Sequence, residues 1–229
     1  MTHKKIVFVI VEGPSDDEAL GLFLDRIYDE SQVYVHIVHG DITTERGHHA
    51  GNIMEKIRMT VEGFARSRHL KKVHFQEVVH IVDTDGAFIP DDCVVWDPKV
   101  LKTFYSESEI RTKNAAGIRD RNAQKSACLR RMVKAENVWD IPYRVYYMSS
   151  NLDHVLYNKL NSSDDAKEQD SIAFARKYLS DLPGFIKYIC ASDFSVTGDY
   201  KASWEFIEKD LHSLKRHTNL GIRILKAKE

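Results

Sequence analysis

Three acidic residues stand where a folded chain can turn spacing into chemistry. Glu12 directly follows the β-branched run Lys5–Val11, and Asp83 and Asp85 belong to an Asp-Thr-Asp-Gly sequence that closes the apolar run Val78–Val82. Carboxylates are hard oxygen ligands, and Mg²⁺ takes a few of them while keeping several waters. Asp-x-Asp just past a strand directs two carboxylates to one side of the chain. A third acid from a neighbouring strand end closes a site for Mg²⁺, with Mn²⁺ as a substitute, and a phosphate on a substrate supplies the remaining charge balance. Each motif also has a plainer use: Asp-Thr-Asp-Gly is good turn chemistry, and Asp16-Asp17-Glu18 would steady a helix N-terminus through its dipole. Their joint position at two strand ends favours the metal.

The elements that must position these acids are legible in the pattern. Lys5–Val11, with Phe8 inside it, reads as a strand buried on both faces. Ser15 to Glu18 has the form of a capping box, after which Leu20, Phe23, Leu24 and Ile27 recur at helical spacing. Val33–Val38 reads as a second strand, Asn52–Arg68 as a second helix and Val78–Val82 as a third strand. This β-α-β-α-β order predicts an α/β fold with a doubly wound, mainly parallel four-stranded sheet, Rossmann-like in layout. Right-handed crossovers place the first and third strands side by side, so their carboxyl ends form the expected ligand-binding rim. Ala87–Ile118 reads as irregular. Asn122–Ala135 is the next expected helix and Tyr143–Met148 the fourth strand. Helices are then expected at Leu152–Leu160, Asp165–Leu179, Phe185–Cys190 and Ser203–Lys215. The economical division is an α/β domain over residues 1–150 and a helical extension over 151–229 packed on it.

Composition limits the function classes. Of the 229 residues, 43% are hydrophobic and 29% charged, as in a globular protein. No apolar run nears the ~20 residues that span a bilayer. Met-Thr-His-Lys-Lys enters the first strand directly, which leaves no room for a secretory signal. Cys93, Cys128 and Cys190 are far apart, without a CxxC pair, and fit a reducing, cytoplasmic setting. Net charge is only −1, yet Arg111, Lys113, Arg119, Arg121, Lys125, Arg130, Arg131 and Lys134 face a single nearby acid, Asp120. That segment carries +7 and the rest, by subtraction, −8.

Strand-Glu-Gly at 12–13, a helix, and strand-Asp-x-Asp-Gly at 83–86 together resemble the TOPRIM domain of topoisomerases, primases and several nucleases. Val11-Glu12-Gly13-Pro14-Ser15-Asp16 is most similar to the TOPRIM domains of OLD-family nucleases and small phage-defence proteins. The resemblance covers about the first 90 residues and the fourth strand. It implies Asp83 and Asp85 as metal ligands and Glu12 as a ligand or proton-transfer group. Asp16, four residues after the glutamate, becomes a second acid. The implied chemistry is Mg²⁺-dependent phosphodiester hydrolysis or transfer on DNA or RNA. Ser150-Asn151-Leu152-Asp153 resembles a further acidic motif of defence-type relatives and adds Asp153 as a candidate ligand; a capping box from Ser150 to Asp153 is the alternative. Lys159 and Lys215-Arg216 are candidates for an accompanying lysine. The chain has no tyrosine-bearing cleavage module, zinc domain or ATPase domain, which implies a standalone protein, with a separately encoded ATPase as a conceivable partner.

The basic segment offers phosphate contacts, with Arg119, Arg121, Lys125, Arg130, Arg131 and Lys134 as the nucleic-acid-binding candidates and Phe104 and Tyr105 as stacking residues. A solvated helix face paired with acids elsewhere is the alternative. His36, His39, His48 and His49 match no common zinc spacing; His48, His49 and His154 could reach the metal rim. Two other functions compete: a non-catalytic module that binds nucleic acid or a partner, and a phosphatase resembling the haloacid dehalogenase type, with Asp83 as nucleophile. No membrane partner is expected, and the aromatic-bearing C-terminal helices could form a homodimer.

Overall fold

Ile6–Val11 (β1) is buried along its whole length. Such a run needs a strand on each edge and helices on each face, and it has both. The computed structural model describes residues 5–28, 32–37 and 41–227. The first four residues, Val38 and His39, on which parts of the sequence reading fall, lie outside them. The elements run in the order β1, α1 (Pro14–Ile27), β2 (Gln32–Ile37), α2 (Ile53–Ser67), β3 (Phe75–Asp83), β4 (Val94–Trp96), β5 (Phe104–Tyr105), β6 (Ile110–Thr112), α3 (Ala115–Val133), β7 (Asn137–Val138) and β8 (Ile141–Met148). Five helices follow: α4 (Leu152–Tyr157), α5 (Asp164–Tyr178), α6 (Leu182–Ala191), α7 (Tyr200–Ile207) and α8 (Leu220–Lys226).

The protein is α/β, with a mixed sheet of mostly parallel strands. Strand order is β2-β1-β3-β8-β7; β1 pairs in parallel with β2 and β3, and β3 with β8. The sheet differs from the expected four strands by a fifth, β7, which runs antiparallel to β8 through a tight connection. β1 and β3 are neighbours, in register from Val7 opposite Glu77 to Ile10 opposite His80. Glu12 and Asp83 therefore leave the sheet side by side.

Alternation along β1 splits the interior in two. Val7, Val9 and Val11 pack with Leu20, Phe23 and Leu24 of α1 and with residues of α4, α5, α6 and α8. Ile6, Phe8 and Ile10 pack with Ile53, Ile57 and Val61 of α2, Leu129 and Met132 of α3, and Trp204 and Ile207 of α7. Residues 151–227 are thus not an annex on one side: they supply core to both faces.

Several local expectations are corrected. α1 is capped not by Ser15 but by Gly13, with Pro14 as its first helical residue and Asp16 in the position expected of Glu18; proline's fixed φ and missing N–H suit that first position. α3 starts at Ala115, seven residues before the expected Asn122, because the Asn114 side chain accepts from the Gly117 N–H and caps it there. The stretch read as irregular holds a small sheet of order β4-β6-β5 with its own core of Ile89, Val94, Ile110 and Leu214. The last expected helix also ends early, at Ile207, and α8 was not foreseen.

Candidate functional site

Glu12 is the first residue past β1, and its Oε1 accepts from the backbone N–H of Asp83 at 3.2 Å. This bond ties the two strand ends together. Asp83 Oδ1 in turn accepts from the Leu152 N–H at the start of α4, at 3.0 Å. Thr84 is fully buried; its Oγ1 donates to Ser213 O and accepts from the Ser150 N–H. Asp85 then takes a left-handed conformation, φ 48°, and Gly86 follows at φ 67°. A Cβ on Gly86 would lie 2.6 Å from Leu214 Cδ2, so the Asp-Thr-Asp-Gly turn needs glycine both for its backbone and for its space. The Asp85 carbonyl accepts from Arg121 and its N–H donates to Ser150 O.

The centre of the site holds a cation. Lys125 of α3 is completely buried, and its Nζ lies 2.5 Å from Asp85 Oδ2, 2.7 Å from Asp41 Oδ2 and 3.9 Å from Glu12 Oε1. Asp41, from the loop after β2, is itself fixed by the N–H and hydroxyl of Thr43 and the hydroxyl of Thr44. Buried ammonium groups ordinarily lose their proton more easily, but these three carboxylates outweigh burial and hold the Lys125 pKa well above its usual value. The same pair lowers Asp41: burial acts upward and is overcome by Lys125 and the Thr43 hydrogen bonds. Glu12 and Asp83 are both pushed well up, first by burial and then, for Asp83, by the neighbouring charges of Glu12 and Asp16.

The predicted acids thus fall into two lobes. Glu12 and Asp85 share Lys125 with Asp41, on the α3 side of the sheet. Asp83 shares its surroundings with Asp16, on the α1 side. Asp16 Oδ2 accepts from the N–H groups of Glu12 and Gly13 at 3.2 and 3.0 Å, reaching back from the first turn of α1 to its cap residue, and burial pushes its carboxyl up to about 6. Asp153 is buried in α4, 3.7 Å from Lys167 Nζ, and it adds to the charge around Asp16. The expected cap from Ser150 is made instead by Asn151, whose side chain accepts from the His154 N–H. An open cleft of about 770 Å³ borders the α1 lobe, lined by Gly13, Ser15, Asp17, Asp164, Lys167 and Glu168 among others.

The basic segment does not form one surface. Lys125, expected to contact nucleic acid, is instead buried among the acids, drawn inward by their charge. Arg119 donates to the carbonyls of Asp91 and Val94, Arg121 to Tyr105, Asn122 and Asp85, and Arg130 pairs with Glu208. Arg131 and Lys134 are exposed. Tyr105 is engaged by Arg121, and Phe104 is half exposed. Of the other basic candidates, Lys159 pairs with Asp170 and also acts on Asp153, and the guanidinium of Arg216 donates to Val155 O and Tyr188. His36 stacks on Phe8, His48 bonds to Ile42 O and His49 accepts from the Gly51 N–H, while His154 faces Glu107.

Asp41 and the placement of Lys125 are what the sequence reading missed. The available signal was position: a loop after β2 lies on the same rim as the ends of β1 and β3. Among the described residues, no group of three or more His, Cys, Asp and Glu side chains is set as a ready-made metal site. The donor set nevertheless suits a hard cation. Glu12, Asp83 and Asp85 each keep one carboxylate oxygen without a hydrogen bond among the described residues, and the ammonium of Lys125 already stands in for a positive ion between Asp85, Asp41 and Glu12. No helix among the described residues is long and apolar enough to cross a membrane. No protein-family model, curated protein or solved structure matches the chain, which leaves the geometry of this acid-rimmed sheet edge as the guide to its chemistry.

Proposed function

We propose that the protein is a Mg²⁺-dependent nuclease, or a related phosphoryl-transfer enzyme, acting on nucleic-acid phosphodiesters at the rim formed by β1 and β3. The observation that carries this reading is the convergence of Glu12, Asp41 and Asp85 around a single buried ammonium, with Asp83 joined to Glu12 at the adjoining strand end. Four carboxylates against Lys125 and the nearby Arg121 leave an excess of negative charge that a divalent cation would relieve. The finer fold reading, a doubly wound sheet of TOPRIM type, belongs to the same proposal, as do a role in phage defence, a partner ATPase and a homodimeric state.

Glu12, Asp83 and Asp85 would hold the metal through their unbonded oxygens. Bound there, Mg²⁺ or Mn²⁺ would offset charge developing on the phosphate under attack. Glu12 has the second task. Its raised pKa suits it to take a proton from attacking water or return one to the leaving oxygen. Asp83, bonded to the start of α4, keeps the two strand ends and that helix in one arrangement. Exposed Arg131 and Lys134 would add salt-dependent contacts to the nucleic-acid backbone.

The test is cleavage of labelled single- and double-stranded DNA and RNA with Mg²⁺ or Mn²⁺, with Glu12→Gln and Asp83→Asn in parallel. We expect metal-dependent cleavage that falls by about a hundredfold or more in Glu12→Gln, the usual scale for a lost acid–base group, and that is also lost in Asp83→Asn, which removes a charged metal ligand. One observation favours a second reading, a non-catalytic binding module: Lys125 already pairs with the acids. Nucleic-acid binding without cleavage, unchanged in Glu12→Gln, would select it. Cleavage of small phosphomonoesters dependent on Asp83 but not on Glu12 would select a phosphatase instead.

A further inference from the structure

The feature that the proposed chemistry leaves unexplained is Lys125. A lysine ammonium without any exposure is rare in a fold. This one sits where a metal ion would, 2.5 Å from Asp85 and 2.7 Å from Asp41, with Glu12 at 3.9 Å. Its aliphatic stem enters from α3, between the buried Asn122 and the core residues Cys128 and Leu129. Asp41 Oδ1 is occupied by Thr43, so its Oδ2 is aimed at Lys125 by a turn that exists without any ligand.

We propose that Lys125 is a tethered cation that holds the acid rim together in the metal-free protein, and that a divalent ion binds by exchange, expelling the ammonium from between Asp85 and Glu12. This rests on the metal reading above and goes beyond it. An ammonium and a divalent ion a few ångströms apart in a partly buried site repel strongly, so both cannot keep the central position. The arrangement separates folding from metal supply: with the ammonium in place the carboxylates do not repel one another unchecked, and the chain folds without the ion. It also means that Lys125 weakens metal affinity, although a lysine beside a metal site would ordinarily be read as an aid to it.

The decisive comparison is Mn²⁺ binding, by titration calorimetry and by the fading of the free-ion paramagnetic resonance signal, in the wild type and in Lys125→Met, which keeps length and removes charge. The proposal expects Lys125→Met to bind at least about tenfold more tightly, as removal of a close like charge implies. Its melting temperature with chelator should fall below that of the wild type and recover with Mn²⁺. Should the variant fail to fold, the wild type alone answers the question: lysine acetylation read by mass spectrometry should spare Lys125 in chelator and modify it at saturating Mg²⁺. Binding in Lys125→Met no tighter than in the wild type, or a Lys125 still protected when metal is bound, overturns the exchange and leaves the metal reading standing. Absence of Mn²⁺ binding in both proteins overturns the two together.

Discussion

At the scale of single residues, burial sets the protonation of two histidines. His80 is fully buried on β3, bonded through Nδ1 to Tyr143, with no partner for Nε2 among the described residues. Burial lowers its pKa from 6.5 to about 3, and that of His217 to about 4. For a base whose folded pKa is depressed, the unfolded chain binds protons first as pH falls. The stability is therefore complete above the unfolded value and is lost below it. For His80 the loss reaches about 2 kcal/mol by about pH 5. Melting temperature measured from neutral pH downward should fall less steeply in His80→Phe than in the wild type. An equal slope in the two proteins would mean that His80 does not carry the effect. Glu12, Asp83 and Asp85 were legible as a set because each motif is contiguous and ends a strand. Asp41 and Lys125 were not, since their bond joins residues 84 apart and the Lys125–Asp85 bond spans 40. A run of basic residues looks like a surface until its acidic partners, distant in sequence, are known.

At the scale of elements, the turn into α1 shows how one side chain can belong to both a helix and a site. Asp16 accepts from the Gly13 N–H at the cap of α1, which the helix would otherwise leave unpaired, and from the Glu12 N–H at the end of β1. Asp16→Asn keeps that acceptor, and Asp16→Ala removes it. We expect urea unfolding to place the Asn variant within a few tenths of a kcal/mol of the wild type and the Ala variant about 1 kcal/mol below it. A fall in metal affinity with Asn, at unchanged stability, would give Asp16 a ligand role beside the cap. The strands were readable because their apolar runs are long and β-branched. The small sheet β4-β6-β5 was not, because strands of two or three residues have no period to read. Its core of Ile89, Val94, Ile110 and Leu214 depends instead on a residue about a hundred positions later.

At the scale of the whole molecule, the residues beyond 150 contribute core to both faces of the sheet. Helices α4, α5, α6 and α8 cover one face of the sheet, and α7 covers part of the other. The Tyr147 N–H donates to Asn219 and the Ser149 N–H to His217 O. A fragment of residues 1–150 would expose both patches of core. We expect it to show no cooperative melt by circular dichroism, whereas a sharp transition would show that residues 1–150 fold without the helical extension. Helical periodicity in the C-terminal third was visible, but which face of the sheet each helix covers is a tertiary fact that periodicity does not hold.

The segment around Ser213 to Asn219 bears on how the protein comes into being. Ser213 accepts from Thr84 and Ser150, and Thr218 bridges Met148 and Ser195. During synthesis every acid of the rim is made early and Lys125 soon after, but the segment that clamps the Asp-Thr-Asp-Gly turn leaves the ribosome much later. A nascent chain therefore carries the charged groups of the rim without their geometry, and the assembled rim exists only once the clamp has been translated.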